Sequence, residues 1–203
     1  MNEFRNKFAK EYLAEIKRTL DSIEGDLIDK IDKLASILKR ARANKNTIFV
    51  MGNGGSAATA SHFALDLSKT TIVQGCPRFK VIALTDSIPG MLAWANDVGY
   101  EEIFTEQLKN LMEAGDVVIG ISGSGNSMNV IKAIEYANSQ GGLTIGLCGF
   151  DGGKLIKCAQ ENILVPCAHM QGVEDIHLLI EHLLTSLLKA EDTNACHLNG
   201  KGQ

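Results

Sequence analysis

Two segments of small residues and a handful of ionisable side chains are the parts of this chain that could do chemistry. Residues 52–57 read Gly-Asn-Gly-Gly-Ser-Ala, and residues 122–127 read Ser-Gly-Ser-Gly-Asn-Ser. Each follows a compact apolar run and opens an expected helix. Glycines let backbone come close to a ligand, and the free N–H groups of a helix start favour an anion. Serine and asparagine add donors and acceptors without bulk. Phosphate is the anion such loops hold most naturally, and two of them suit a ligand with a phosphate at one end and hydroxyls along its length. Residues 52–57 also fit Gly-x-Gly-x-x-Ala, but a dinucleotide site needs an acidic residue at the end of the next strand, and Asp86 comes too late for that. No Gly-Lys-Ser/Thr follows either loop, so the P-loop pattern fails.

The ionisable set begins with His62 and Asp66, four apart and so on one face of the helix that leaves the first loop. Glu174, His177, Glu181 and His182 sit among Leu and Ile on the last expected helix. Histidine–carboxylate pairs bind divalent metals or move protons. Glu174 and His182 are eight apart, a rise of about 12 Å on a continuous helix. One regular helix therefore cannot bring both to one ion. Either Glu174 precedes the helix, or the two act in different subunits of an oligomer. His177 and Glu181 read as a pair on the helix face. His169, in the expected loop before that helix, could approach the site. Trp94 and Tyr100 read as packing residues.

The elements that must position these groups alternate. Apolar spacing predicts an N-terminal pair of helices joined near Gly25, within residues 1–45. Short β-branched runs predict strands at 47–51, 81–84, 116–121, 143–147 and 162–165, with helices at about 57–68, 88–96, 100–113, 128–140 and 173–190. Unbroken Val/Ile-rich strands are buried on both faces of a parallel sheet. The fold class expected is α/β: a doubly wound five-stranded parallel sheet flanked by helices, spanning residues 46–190. Ligands of such sheets bind beyond the strands' carboxyl ends, where both loops lie. Residues 191–203 read as a frayed, disordered tail.

Composition narrows the function. The chain has 203 residues and a net charge of −4, which argues against a general nucleic-acid binder. No apolar run is long enough to span a bilayer, and the charged start lacks a secretory apolar core, so no membrane role and a cytoplasmic location are expected. The five cysteines form no CxxC pair, so reduced thiols are expected.

Several strings carry a family resemblance: Gly52-Asn53-Gly54-Gly55-Ser56-Ala57-Ala58 with Ser61-His62-Phe63-Ala64, Ala95-Asn96-Asp97-Val98-Gly99-Tyr100, Gly115 to Ser122, Ser124-Gly125-Asn126-Ser127, Asp151-Gly152-Gly153-Lys154, and Glu174-Asp175-Ile176-His177 before His182. Together they resemble the sedoheptulose 7-phosphate isomerase (phosphoheptose isomerase) family of the sugar-isomerase (SIS) domain superfamily. The resemblance runs over about residues 5–190. It implies a single SIS domain in a homotetramer with sites at subunit contacts. It also implies interconversion of a ketose phosphate and an aldose phosphate in bacterial surface heptose synthesis. Carried over by position, Asn53, Gly54, Gly55, Ser56, Asn96, Asp97 and Glu174 would contact the sugar phosphate. Ser122, Gly123, Ser124 and Ser127 would hold its phosphate. His62, Asp66, Glu174 and His182 would be ligands of one Zn²⁺ or the acid/base pair, with Asp66 as base and His182 as acid. The chain departs from the family at Asp66 (usually Glu), Glu174 (usually Gln) and Gly123 (usually Thr), and it lacks two arginines, one shortly after position 66 and one before the last helix. A non-catalytic sugar-phosphate-binding or regulatory SIS protein, such as one associating with a replication initiator, is the alternative.

Overall fold

The computed structural model of the chain describes residues 2–199. Helix α1 spans Glu3–Ala43 without a break. The expected pair of helices is therefore one helix. Gly25 costs about 1 kcal/mol relative to alanine in a helix, but burial of Ile23, Leu27, Ile31, Leu34 and Leu38 along one stripe outweighs it. Asn2 caps its start, its Oδ1 accepting from the Phe4 N–H at 3.0 Å. Arg40 and Arg42 sit favourably in its last turn.

Five strands follow: β1 (Thr47–Gly52), β2 (Lys80–Ala83), β3 (Val117–Ser122), β4 (Leu143–Gly149) and β5 (Glu161–Val165). All neighbouring pairs are parallel, in the order β2-β1-β3-β4-β5. Every residue of β1 and β3 is buried, as expected for strands covered on both faces. Their side chains alternate between two cores. Ile48, Val50 and Ile119 face α1, α2 (Gly55–Leu65) and α7 (Met170–Asn199). Phe49, Met51 and Val118 face the layer that contains α4 (Thr105–Leu111), α5 (Met128–Ser139) and α6 (Leu155–Cys158), with α3 (Ile88–Asp97) at its margin. The doubly wound parallel sheet expected from the sequence is what the chain forms.

Strand order reverses between β1 and β3, which pair through Val50 and Ile119. In open sheets of this order the crevice lies at that reversal. The loops leaving β1 and β3 are the two glycine–serine segments, so topology alone brings them together.

The chain's end differs from expectation. Helix α7 continues through residues 191–199 rather than fraying. Asp192 is buried against Arg42 of α1, with Arg42 Nη2 donating to Asp192 Oδ1 at 2.8 Å. Residues 200–203 of the expected tail lie outside the described residues. No helix among the described residues is long and apolar enough to cross a membrane.

Candidate active site

The two loops form a cleft of about 220 Å³ lined by Asn53, Gly54, Gly55, Ser56, Ser122, Gly123, Ser124, Ser127, Met170 and Glu174, among others. Nine of the expected substrate-contacting residues thus share one space. Gly54 precedes α2 and Ser127 precedes α5, and neither helix start has a side-chain cap. The N–H groups of Gly55 and Ser56 in α2, and of Met128 and Asn129 in α5, are left for a ligand, while those of Ala57 and Val130 are taken within the chain. The second loop is held rigidly. Gly125 has φ +63°, and a Cβ there would overlap the Gly152 carbonyl. The Lys154 and Leu155 N–H groups both donate to the Gly125 carbonyl at 2.9 Å. The Ser122 hydroxyl donates to that of Ser127 at 3.1 Å. Gly123 has room for no side chain while Met170 keeps its position, because the Met170 thioether fills that space.

Asn53 is fixed by its amide. It exchanges hydrogen bonds with Asn129 at 2.8 and 2.9 Å, and its Oδ1 also accepts from the Tyr100 hydroxyl at 2.8 Å. Tyr100, expected to pack, is exposed and instead steadies the first loop. Asn96 and Asp97 are exposed, hydrogen bond to each other, and line no part of the cleft of this chain. Glu174 is the one charged residue lining the cleft. A Cβ on Gly55 would overlap its carboxylate, so that carboxylate lies directly against the start of α2.

Helices α2 and α7 pack side by side and run in the same direction, since Gly55 meets Glu174 at one level and His62 meets His182 about two turns further on. At the second level four side chains converge: His62, Asp66, Glu181 and His182 offer ligand atoms within 4.8 Å of one another. Asp66 opens a π-helical turn, Asp66–Thr70, that widens the end of α2; such bulges are frequent at functional sites. Asp66 Oδ1 accepts from the Thr70 hydroxyl at 2.8 Å. Its Oδ2 lies 3.9 Å from His62 Nε2 and 4.0 Å from His182 Nε2. The two Nε2 atoms are 3.5 Å apart.

Glu174 does not join this group in its own chain. It lies within α7, so the helical spacing that separates it from His182 holds, and its carboxylate belongs to the cleft. The residue that does join is Glu181, read from the sequence as half of a helix-face pair with His177. His177 turns away, its Nε2–H donating to the Cys148 carbonyl at 3.2 Å, and burial pushes its pKa down to about 4. Glu181 is fully buried, and neither carboxylate oxygen has a hydrogen-bond partner. Burial pushes its carboxyl up to about 8, and the Asp66 charge adds to the rise. Its Oε2 is 3.4 Å from His182 Nε2. A signal for Glu181 did exist in the sequence, since it directly precedes His182 within an otherwise apolar stretch. Two imidazoles, two carboxylates and orphaned buried oxygens form a donor set suited to zinc or a similar divalent ion.

A second convergence, Glu15, Cys167 and His169, lies at the N-terminal end of α7. Here His169 Nδ1 accepts from the Gly172 N–H at 2.9 Å. The neutral imidazole then carries its proton on Nε2, which faces Glu15 Oε2 at 3.5 Å. That nitrogen faces the carboxylate without a hydrogen bond, and His169 caps α7 instead of entering the active site.

The SIS domain family model matches residues 11–149. The chain is 37% identical over 189 residues to a phosphoheptose isomerase of Aliarcobacter butzleri, covering 92% of this chain and 98% of that one. It is 39% identical over 182 residues to a phosphoheptose isomerase of Geotalea daltonii, covering 89% and 93%. The structure of phosphoheptose isomerase GmhA from Neisseria gonorrhoeae superimposes with a TM-score of 0.84 at 30% identity, covering 91% of this chain and 98% of that one. A phosphoheptose isomerase from Francisella tularensis gives 0.85 at 25% identity, covering 94% and 100%.

Proposed function

The chain belongs to the phosphoheptose isomerase branch of the SIS domain family, and from that premise we propose that it isomerises sedoheptulose 7-phosphate to the corresponding aldose phosphate, supplying bacterial surface heptose. The observation that carries this reading is the meeting of His62, Asp66 and His182 where α2 and α7 pack together, two helices whose N-terminal ends line the anion cleft beside the second loop. From Gly55 to His62 the helix rises about 10 Å, a span suited to a seven-carbon sugar phosphate bound by its phosphate at the cleft. The non-catalytic alternative is not favoured, because a binding module has no use for this ionisable group.

The chemistry assigns roles. A base removes a proton from C1 of the ketose, an enediol forms, and a proton returns at C2 while the hydroxyl protons exchange between O1 and O2. Asp66, whose carboxylate the Thr70 hydroxyl orients, takes the carbon-bound proton. His182 protonates the carbonyl oxygen. Ser122, Gly123, Ser124 and Ser127 receive the phosphate, and Asn53, Gly54, Gly55, Ser56 and Glu174 order the sugar. His62, Asp66 and His182 would hold a divalent ion, Zn²⁺ by donor type, which when bound supplies a Lewis acid for the substrate carbonyl.

A homotetramer with sites at subunit contacts forms part of the proposal. Phe4, Phe8 and Leu13 at the start of α1 are exposed and support burial against another copy. In such an assembly Asn96 and Asp97 would meet substrate from a neighbouring chain. A cytoplasmic location forms part of the proposal as well. The test is turnover: purified protein with added Zn²⁺ should convert sedoheptulose 7-phosphate, and Asp66→Asn should not. Absence of turnover in the unaltered protein, with metal supplied and related sugar phosphates tried, would overturn the reading.

A further inference from the structure

Glu181 sits in a position that ordinary packing does not explain. It is fully buried, and among the described residues both carboxylate oxygens lack hydrogen-bond partners and no lysine or arginine pairs with it. A buried carboxylate is strongly disfavoured unless a cation or a proton compensates it. Its neighbours are a second carboxylate, Asp66, and two imidazoles.

The spacing of the four donors identifies the missing partner. Ligands at about 2.1 Å from a tetrahedral zinc stand ~3.4 Å from one another. The separations here are 3.4 Å for Glu181 Oε2 to His182 Nε2, 3.5 Å for His182 to His62, 3.9 Å for His62 to Asp66 and 4.0 Å for Asp66 to His182. We infer that Glu181 is the fourth protein ligand of the divalent cation, with His62, Asp66 and His182, so that the metal is held within one chain, substrate would add as a fifth ligand, and Glu174 is left to the substrate cleft. This rests on the metal held in the proposed function but not on the isomerase activity.

Two variants separate the carboxylates. Glu181→Gln keeps shape and removes the buried charge; Glu174→Gln does the same in the cleft. Zinc affinity of the metal-stripped full chain is measured by equilibrium dialysis, and the visible absorption of the Co²⁺-substituted protein reports the ligand set. Glu181→Gln should bind zinc on the order of a hundredfold more weakly and change the cobalt spectrum, while Glu174→Gln should match the unaltered protein in both. Should Glu181→Gln fold poorly, Glu181→Asp retains the charge and should show an intermediate zinc affinity. Unaltered zinc affinity in Glu181→Gln, loss of zinc in Glu174→Gln, or no zinc binding by the unaltered chain would each overturn the inference. Turnover of sedoheptulose 7-phosphate is scored separately. A chain that binds zinc through Glu181 without turnover refutes only the isomerase reading, and turnover with zinc binding indifferent to Glu181 refutes only this one.

Discussion

The Nε2 atoms of His62 and His182 stand 3.5 Å apart, with their rings nearly perpendicular at 79°. They come from the last turn of α2 and the middle of α7, which run side by side in the same direction, and both imidazoles are nearly half exposed. Neither is part of the core. Replacing either with glutamine should therefore lower kcat by about 10²–10⁴-fold while leaving the thermal midpoint nearly unchanged. Steady-state kinetics beside circular dichroism melting checks this. A large drop in midpoint with kcat retained would assign the pair to structure.

Asp192 makes the opposite case, a carboxylate with a structural duty. It pairs with Arg42 through two hydrogen bonds, both side chains are almost fully buried, and the guanidinium lies over the Phe79 ring at 4.5 Å from its centroid. Asp192→Ala strands a buried cation and should cost about 3–5 kcal/mol. Urea unfolding should show the loss as a lower midpoint at unchanged slope. The double variant Arg42→Met, Asp192→Leu should recover much of it.

His177 gives the fold a pH dependence. Its pKa is pushed down from 6.5 to about 4, so the folded chain keeps it neutral where the unfolded chain protonates it. Its contribution is complete above pH 6.5 and is lost as pH falls from there through 4, at up to about 1.4 kcal/mol per pH unit. Glu181 acts with the opposite sign in the metal-free chain. Its pKa is raised from 4.5 to about 8, so stability declines as pH rises between those values. Measured in a Glu181→Gln background, His177→Gln should flatten the stability curve between pH 4 and 6.5. An unchanged curve would show that His177 does not titrate with folding.

What could be read beforehand divides along physical lines. The cleft was legible because buried strand, small-residue loop and helix follow one another in sequence, and the reversal between β1 and β3 needs only strand order. The continuity of α1 was not, because the cost of Gly25 is local while the burial of Ile23 and Leu27 against other elements is not. Glu181 was misassigned to His177 because a four-residue spacing describes only one helix. Its actual neighbours, Asp66 and His62, arrive on α2 and the π-helical turn after it. The helical end of α7 was hidden by its polar composition, whose meaning depends on Arg42, 150 residues away.

Glu174 sets the last expectation. The cleft that would receive a phosphate holds no basic residue among the residues lining it, and its one charge is the Glu174 carboxylate against the start of α2. A carboxylate lying against a helix start competes with an incoming phosphate for the same N–H groups. It also repels the phosphate, since like charges about 7 Å apart at an effective dielectric near 20 cost roughly 2 kcal/mol per charge pair. Glu174→Gln removes both effects without changing shape. It should lower KM for the sugar phosphate by about tenfold or more and tighten inhibition by inorganic phosphate in parallel. Because the group that moves protons lies about two turns along the helices, kcat should change little. Added salt should narrow the gap between the two proteins, since screening weakens only the charged one. A raised KM would instead mean that the carboxylate holds a sugar hydroxyl whose loss outweighs the relief of repulsion, and an unchanged KM would place the phosphate away from α2 altogether.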